Sequence, residues 1–329
     1  MSLIGTMGSG ISALKTFVKG LEVIGNNIAN VNTTGFKSAD AKYSDSFSNI
    51  LQRSAPTPPG GAGSNTVAIQ IGTGVTLSGI STNFSQGSLS STGKSTDLGI
   101  SGPGFFRVRD VPNDREFVTR SGDFRVDDQG YVVTQQGFRL QGLSDGAIAY
   151  SATSVGGVLT YTPTVTNPTA VGDIQLTVAL SAGSGLTNNT GGAFTDAQMQ
   201  SGAPTLRSFS IDQYGNAVAF MSDGSSFTKG QVLLQDFRDP SGLTKEGNNL
   251  FSGFEAAGAI GGITMTGANN GAGTNGLGHI QSGSLELSNV DLTEQFSSLI
   301  TTQRSFQAGS RLITVSDTIL EDIVNLKQR

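Results

Sequence analysis

The chain has 329 residues, which is long enough for two or three domains with sizeable hydrophobic cores. Its 46 glycines, 7% aromatic and 14% charged residues favour a turn-rich β protein over an α/β enzyme, and the sparse charge argues against disorder. A formal net charge of -5 without any Lys/Arg cluster excludes the electrostatic footprint of a nucleic-acid-binding protein. The sequence contains no cysteine, which excludes disulfides, thiolate zinc sites and cysteine nucleophiles.

Residues 1–30 predict a helix with an apolar stripe, because apolar residues recur there in steps of three and four. They are Ile4, Met7, Ile11, Leu14, Val18, Leu21 and Ile28. The same segment has no basic start, no continuous apolar core and no cleavage pattern, so we expect no cleaved signal peptide. No apolar run reaches the length of a membrane span, and we expect no membrane insertion.

The middle of the chain predicts a linker followed by two β domains. Residues 35–75 contain the stretch SAPTPPGGAGSN, which predicts a linker or extended arm without regular structure. Short alternating stretches such as FFRVRD and FRVDDQGYVV predict a main antiparallel β domain at 76–142, and the pattern resumes at 206–283. Residues 143–205 are rich in Thr, Val, Ser, Ala and Gly with almost no Lys or Arg, which predicts a small β domain inserted into the larger one.

A second long helix is predicted at the C-terminal end, where the stepping of three and four returns. Its stripe consists of Leu292, Phe296, Leu299, Phe306, Ile313, Leu320 and Val324. A further stripe widens the apolar face and consists of Leu312, Ile319, Ile323 and Leu326. A helix of this length spans roughly 60 Å, far more than the core of a small domain covers.

The two ends therefore predict a terminal helical domain made of residues 1–34 and 284–329. The helices can pair within one chain, parallel or antiparallel, or pack against copies of the chain, and the two arrangements are compatible. The alternative is a monomeric helical hairpin, but an isolated pair of helices has little core of its own. We predict an α+β fold with a coiled-coil-like pair of terminal helices, two nested antiparallel β domains, and self-assembly through the apolar stripes.

Polar residues near the two stripes have two interpretations. Asn26, Asn27 and Asn30 lie where the first helix ends, and they either cross-link to neighbouring backbone or form a simple helix stop. Gln303 and Arg304 interrupt the C-terminal stripe, and they either hydrogen-bond across subunits to set the register or belong to a solvated face.

Four segments resemble the bacterial flagellar rod and hook proteins. They are NNIANVNTTGFK at 26–37, GPGFFRV at 102–108, TRSGDFRVDDQGYVVTQQGFRLQG at 119–142 and the closing segment GSLELSNVDLTEQFSSLITTQRSFQAGSRLITVSDTILEDIVNLK at 283–327. Within the family the ending and the length are most similar to the hook protein. The stretch from 48 to 75 resembles the extended segment of distal rod proteins, which is the alternative, and a secreted β-rich adhesin is the rival class.

The resemblance implies a structural subunit of a flexible extracellular tube that transmits torque from the rod to the filament. Its partners would be copies of itself together with rod, hook-cap and hook-filament junction proteins. The resemblance also implies export through the flagellar type III apparatus without a cleaved signal.

Catalysis and metal binding have little support in the sequence. His279 is the single histidine and lies in a glycine-rich approach to a strand, where no Ser-His-Asp triad can be assembled. Asp127 and Asp128 precede Gly130, but the spacing and the later glutamate of a calcium-binding EF-hand are missing, so a hairpin turn is favoured. We therefore predict no enzymatic activity, no metal and no cofactor.

Overall fold

The computed structural model describes residues 2–54, 65–155, 158–176 and 206–327. The chain is a mixed α and β protein with a long C-terminal helix and a β-rich part, which confirms the predicted class at this level. Its residues group into two compact units. Unit 1 comprises Met1–Asn32, Lys37–Phe84 and Val290–Arg329, and unit 2 comprises Thr33–Phe36 and Ser85–Asn289.

Two long helices dominate unit 1. Helix α1 spans Ser2–Ala29 and the C-terminal helix, α4, spans Leu292–Lys327. The carboxylate of Asp291 caps the start of α4 by accepting bonds from the backbone N–H groups of Thr293, at 2.7 Å, and Glu294, at 3.3 Å. The two helices run antiparallel, because the start of α1 lies beside the end of α4 and the end of α1 beside the start of α4. The sequence left this direction open.

Four strands complete unit 1 and correct one prediction. Strand β1 (Ala39–Asp45) pairs antiparallel with β4 (Val75–Thr82), and β2 (Ser48–Gln52) pairs antiparallel with β3 (Ile69–Gly72). The expectation that residues 35–75 lack regular structure is therefore wrong where these strands lie. The prolines and glycines that motivated it are concentrated at 55–64, outside the described residues, while the flanking segments find backbone partners in each other.

Unit 2 consists of short strands with three single-turn helices among the described residues. Its first strands are β5 (Leu89–Ser91), β6 (Leu98–Ser101), β7 (Phe105–Asp110), β8 (Arg115–Thr119), β9 (Arg125–Val126), β10 (Val132–Val133), β11 (Arg139–Leu143), β12 (Ala147–Val155), β13 (Val158–Thr166) and β14 (Val171–Asp173). The later strands are β15 (Leu206–Ile211), β16 (Asn216–Met221), β17 (Ser226–Val232), β18 (Leu234–Phe237), β19 (Thr244–Gly247), β20 (Leu250–Ser252), β21 (Ala259–Ile260), β22 (His279–Ser282) and β23 (Ser284–Glu286). The helices are a 3₁₀ turn (Pro240–Gly242), α2 (Phe254–Ala257) and α3 (Gly267–Asn270).

One 13-stranded antiparallel sheet organises unit 2. Its main path runs β15, β16, β17, β11, β7, β8, β20, β19, while β6 pairs with β22 and β5 with β23 outside it. The apolar side chains of these strands form a core in which Phe106, Val108, Leu140 and Val232 are completely buried. The ring of Phe106 also packs edge-to-face on Phe124, with centroids 5.3 Å apart. Unit 2 thus has a hydrophobic core of its own.

The segment predicted as an inserted domain, residues 143–205, is described only in part. Strands β12 and β13 form a hairpin from it, and β14 pairs with β11 of the large sheet. Asp145 connects the base of this hairpin to residues beyond it, since its carboxylate accepts bonds from the backbone N–H groups of Thr169 and Ala170. These bonds lower the pKa of Asp145. Residues 177–205 lie outside the described part of the chain.

Candidate assembly surface

The seam between α1 and α4 is built from small and polar residues. A Cβ placed on Gly10 would lie 3.1 Å from the side chain of Ile313 and 3.4 Å from the carbonyl oxygen of Gly309, so the two helices approach closely there. Nearer the end of α4, the hydroxyls of Thr6 and Ser316 lie 3.4 Å apart. The seam therefore leaves the apolar side chains of α4 at most half-buried, as at Leu299, Phe306, Ile313 and Leu320.

Asn27 holds the other end of the seam. Its side chain is buried and pairs with the backbone of Ala39 at the start of β1, donating to the carbonyl oxygen at 2.8 Å and accepting from the N–H at 3.0 Å. The same amide donates to the side-chain oxygen of Gln295 in the first turn of α4, at 3.0 Å. One residue thus fixes α1, β1 and α4 together, which supports the cross-linking interpretation of Asn27.

The two other predicted asparagines have local roles. The side chain of Asn30 donates to the carbonyl oxygen of Asn26 at 2.9 Å and to its side-chain oxygen at 3.0 Å, at the exposed end of α1. These bonds satisfy groups of the last helical turn. Asn26 and Asn30 therefore match the simple helix stop, the alternative that the sequence left open for them.

Shortly after α1, residues Thr33–Phe36 belong to unit 2. Close backbone contacts hold them there. Gly35 has a φ of +66°, and its N–H donates to the carbonyl oxygen of Glu286 at 2.8 Å. A Cβ at Gly35 would lie 2.5 Å from the backbone nitrogen of Ser121, which leaves no room for a larger residue. The amide of Asn249 donates to the carbonyl oxygen of Thr34 at 2.8 Å.

A buried ion pair that could not be predicted from sequence includes Glu286, the residue that accepts the bond from Gly35. The guanidinium of Arg120 lies 3.3 Å from the carboxylate of Glu286, and the two side chains are 5% and 0% exposed. Arg120 also donates to the carbonyl oxygen of Gly102 at 3.0 Å and lies over the ring of Phe105. Burial lowers the pKa of Arg120, and the charge of Glu286 opposes that shift.

Helix α4 exposes a row of apolar side chains. Its members are separated by three or four residues, which places them along one side of the helix, and all are exposed. They are Leu312, Val315, Ile319, Ile323 and Leu326, and we call them the α4 row. The buried positions of α4 are Gln295, Gly309 and Ser316, and Ser316 lies beside the row, four residues after Leu312 and three before Ile319.

The predicted assembly residues occupy three environments. Eight are exposed, namely Ile11, Val18, Asn26, Leu292, Phe296, Gln303, Arg304 and Val324. Nine are half-buried, namely Met7, Leu14, Leu21, Ile28, Asn30, Leu299, Phe306, Ile313 and Leu320. Asn27 is buried, and the side chain of Ile4 lies outside the described part. Four members of the α4 row belong to the second stripe noted in the sequence, and Val315 was missed.

The hairpin of β2 and β3 in unit 1 also exposes apolar residues. In an antiparallel pair, alternate residues share a face. One face carries Ile69 and Ile71, opposite Gln52 and Asn49, and the preceding Phe47 is 89% exposed. The register shifts between Ile50 and Gln52, and Ile50 lies opposite Gln70 on the other face. Every residue of both strands is exposed, and a lone two-stranded hairpin is marginally stable in water.

Features associated with other functions are limited in the described residues. His279 is exposed, and its ring lies edge-on to Tyr214 with centroids 6.0 Å apart. Within the described ranges, no group of three or more His, Asp or Glu side chains is placed to hold a metal ion. Among the helices of those ranges, none combines the length and apolar character needed to cross a bilayer.

Comparison with known proteins places these features in a family. Residues 7–37 match the family "Flagella basal body rod protein", residues 99–219 match "Flagellar hook protein FlgE/F/G D1 domain", and residues 281–326 match "Flagellar basal body rod FlgEFG protein C-terminal". The outer two matches cover most of α1 and α4, and the central match covers much of the β-rich unit.

Relatives that align over their full length are also flagellar rod and hook proteins. The flagellar basal-body rod protein FlgG of Bacillus subtilis is 33% identical over 326 residues, which cover 99% of this chain and 100% of the relative. The hook protein FlgE of Borreliella burgdorferi is 28% identical over 452 aligned residues, covering 99% of this chain and 100% of the relative. FlgG of the same organism is 28% identical over 332 residues and all of both chains.

These matches define a structural component of the bacterial flagellum. The chain belongs to the family of flagellar hook and rod axial proteins, which confirms the family resemblance found in the sequence.

Proposed function

We propose that this chain is an axial subunit of the flagellum that polymerises with copies of itself through α1 and α4. The α4 row carries the proposal, because its five apolar side chains remain exposed in the single chain although they flank the seam with α1. An exposed apolar surface of this kind marks a site of association. Copies of the same helices, packed as a coiled-coil-like layer, would cover it.

The α4 row offers a gain in free energy on assembly. Complete burial of one Leu, Ile or Val side chain contributes roughly 1.5–3 kcal/mol. The α4 row alone therefore offers on the order of 10 kcal/mol before the costs of association are subtracted. The predicted assembly residues of α1 and the N-terminal half of α4, together with the apolar face of the β2–β3 hairpin, would add to it.

The proposal keeps the predicted division of the chain. The terminal helices (1–34 and 284–329) would form the cohesive part, followed in sequence by the arm (35–75), the main β domain (76–142 and 206–283) and the domain inserted into it (143–205). Partners would be copies of the chain and the neighbouring rod, hook-cap and hook-filament junction proteins. The subunit would act outside the cell after type III export.

The hook is the position we assign to this subunit, and its work would be to transmit torque while bending. The motif carrying this assignment is the C-terminal segment SNVDL followed by QFSSLITTQRSFQ. The distal rod is the second candidate, favoured by alignment length. The two FlgG relatives align over 326 and 332 residues, close to the length of this chain, whereas FlgE of B. burgdorferi requires 452 aligned residues.

Labelling an epitope-tagged subunit in isolated basal bodies separates the two positions. The hook assignment predicts label along the curved external segment. Label confined to the straight segment below it would replace the hook by the distal rod and would leave self-assembly intact.

Self-assembly itself is tested by the double variant Ile319→Gln and Ile323→Gln in the α4 row. The loss of two buried apolar contacts removes about 3 kcal/mol or more, so the concentration required for assembly should rise at least ~100-fold. Sedimentation and electron microscopy of purified protein over a concentration series measure that threshold.

Thr314→Gln together with Thr318→Gln is the matched control, since both threonines are exposed polar residues of the same helix. The control should polymerise like the unaltered chain. If the row variant assembles at the same concentration as the control, the α4 row is not an assembly contact and the proposal fails.

A further inference from the structure

Two Asn-Gly dipeptides lie close together in unit 2, Asn270–Gly271 and Asn275–Gly276. In such a pair the backbone nitrogen of glycine can attack the side-chain carbonyl carbon of asparagine, because glycine has no side chain to block the approach. The reaction requires an asparagine amide that is free to rotate and a glycine N–H that is not held in a hydrogen bond. The two sites differ sharply in both respects.

The side-chain amide of Asn270 is held by hydrogen bonds and is not free to rotate. The residue is completely buried at the end of α3. Its side-chain nitrogen donates to the carbonyl oxygen of Leu234 at 3.0 Å and to the side-chain oxygen of Gln235 at 3.3 Å. Its side-chain oxygen accepts from the backbone N–H of Thr266 at 3.0 Å. Reaction at Asn270 therefore requires local unfolding first.

Asn275 lies at the exposed tip of a tight turn. Both turn residues have positive φ, 49° at Asn275 and 81° at Gly276, and the N–H of Leu277 closes the turn on the carbonyl oxygen of Thr274 at 2.8 Å. The single side-chain bond of Asn275 in the described structure is an exposed 3.2 Å donation to the carbonyl oxygen of Asn269.

Gly276 meets the second requirement, a backbone N–H that is not held in a hydrogen bond. No acceptor binds its N–H within the described residues, and no atom lies within 4 Å of the position that a Cβ would occupy. The reacting nitrogen is thus not held by an acceptor in the described part of the chain.

We propose that Asn275 is a deamidation site, with water as the co-reactant. The deprotonated backbone nitrogen of Gly276 forms a bond to Cγ of Asn275, the Cγ–Nδ2 bond breaks, and ammonia leaves with a proton from solvent. Water then opens the resulting succinimide at either carbonyl and gives aspartate or isoaspartate. No oxidant, reductant or enzyme is required.

The modification changes this turn of unit 2 in two ways. Either product adds a negative charge to a chain whose net charge is already -5. The isoaspartate product also adds a methylene to the main chain at the turn, next to Leu277, whose side chain is buried in the core. A long-lived extracellular polymer of this subunit would accumulate such charges with age.

Peptide mass spectrometry of the full-length protein, incubated at mildly alkaline pH in heavy-oxygen water, tests the proposal. The folded protein should incorporate label at Asn275 at least ~10-fold faster than at Asn270, because only Asn270 must first open. In denaturant the two sites should react at similar rates, which separates the effect of the fold from that of the local sequence.

Gly276→Ala provides the matched variant, since the added methyl hinders attack and has room, although the φ of 81° at this position strains alanine. It should slow labelling at position 275 and leave the slow labelling at Asn270 unchanged. Folding is checked by the thermal unfolding midpoint, and Asn275→Gln, with its longer side chain, gives the same readout if the alanine variant does not fold. Equal rates at the two sites in the folded protein, or an unreactive Asn275 in folded protein that reacts in denaturant, would overturn the proposal.

Discussion

The apolar core residues of unit 2 are buried, whereas the α4 row is exposed in the same chain. In unit 2, Phe106, Val108 and Leu140 are completely buried among strands of one sheet. In α4, Ile319, Ile323 and Leu326 are exposed, the last to 75%. Both sets are as apolar as any protein core, so the difference lies in the partners available within one chain.

Under the proposal, this difference separates the part of the molecule that folds for its own stability from the part that other copies would complete. Unit 2 closes its core with aromatic pairs and a buried ion pair. Unit 1 joins its helices at glycine, serine, threonine and amide groups and leaves the apolar α4 row exposed. A subunit built this way can remain a folded monomer and still carry a strong tendency to associate.

The largest expected effect comes from breaking the buried ion pair of unit 2 with Glu286→Gln. The substitution leaves the guanidinium of Arg120 buried without its counter-charge, which should destabilise unit 2 by about 3 kcal/mol or more. Thermal unfolding followed by near-UV circular dichroism measures the loss.

Glu246→Gln is the control, because Glu246 forms an ion pair with Arg115 at 3.7 Å in which both side chains are well exposed. It should change the free energy of unfolding by less than about 1 kcal/mol. If Glu286→Gln and Glu246→Gln have equal effects, unit 2 does not depend on its buried pair and the contrast with unit 1 weakens.

A smaller effect is expected in unit 1 from Asn27→Ala. The substitution removes three buried hydrogen bonds and leaves the backbone of Ala39 and the amide of Gln295 with unsatisfied groups, at a cost of about 2 kcal/mol. Hydrogen exchange at the start of α4 should accelerate in the monomer, while exchange in the sheet of unit 2 should not change.

Asn26→Ala is the control for this prediction, because Asn26 is exposed and its contacts are local. Its effect should stay within about 0.5 kcal/mol. Acceleration of exchange throughout unit 2 in the Asn27 variant would contradict the assignment of Asn27 to the seam of unit 1.

The helices and most apolar positions were predictable from sequence, because spacing of three and four residues reports helix periodicity directly. The side of α4 that faces α1 was not. The heptad pattern drew attention to Leu299, Phe306 and Ile313, which are half-buried, whereas the buried positions are Gln295, Gly309 and Ser316. Small and polar residues give no periodic signal, although they permit the closest approach of two helices.

The long-range polar contacts could not be predicted from the sequence either. The pairing of Asn27 with Gln295 and of Arg120 with Glu286 joins residues far apart in sequence, and nothing in either local segment indicates its partner. Strands β1 to β3 were missed for a related reason, since each depends on a partner strand and not on its own composition.

The most direct test of the central claim uses the absence of cysteine from the chain. Ile323→Cys introduces a single thiol into the α4 row, and the rate of its reaction with a soluble thiol reagent can be measured in the monomer and in assembled protein. We predict rapid labelling of the monomer and protection in the polymer. A thiol that reacts equally fast in both states would show that the row stays exposed after assembly, which contradicts the account.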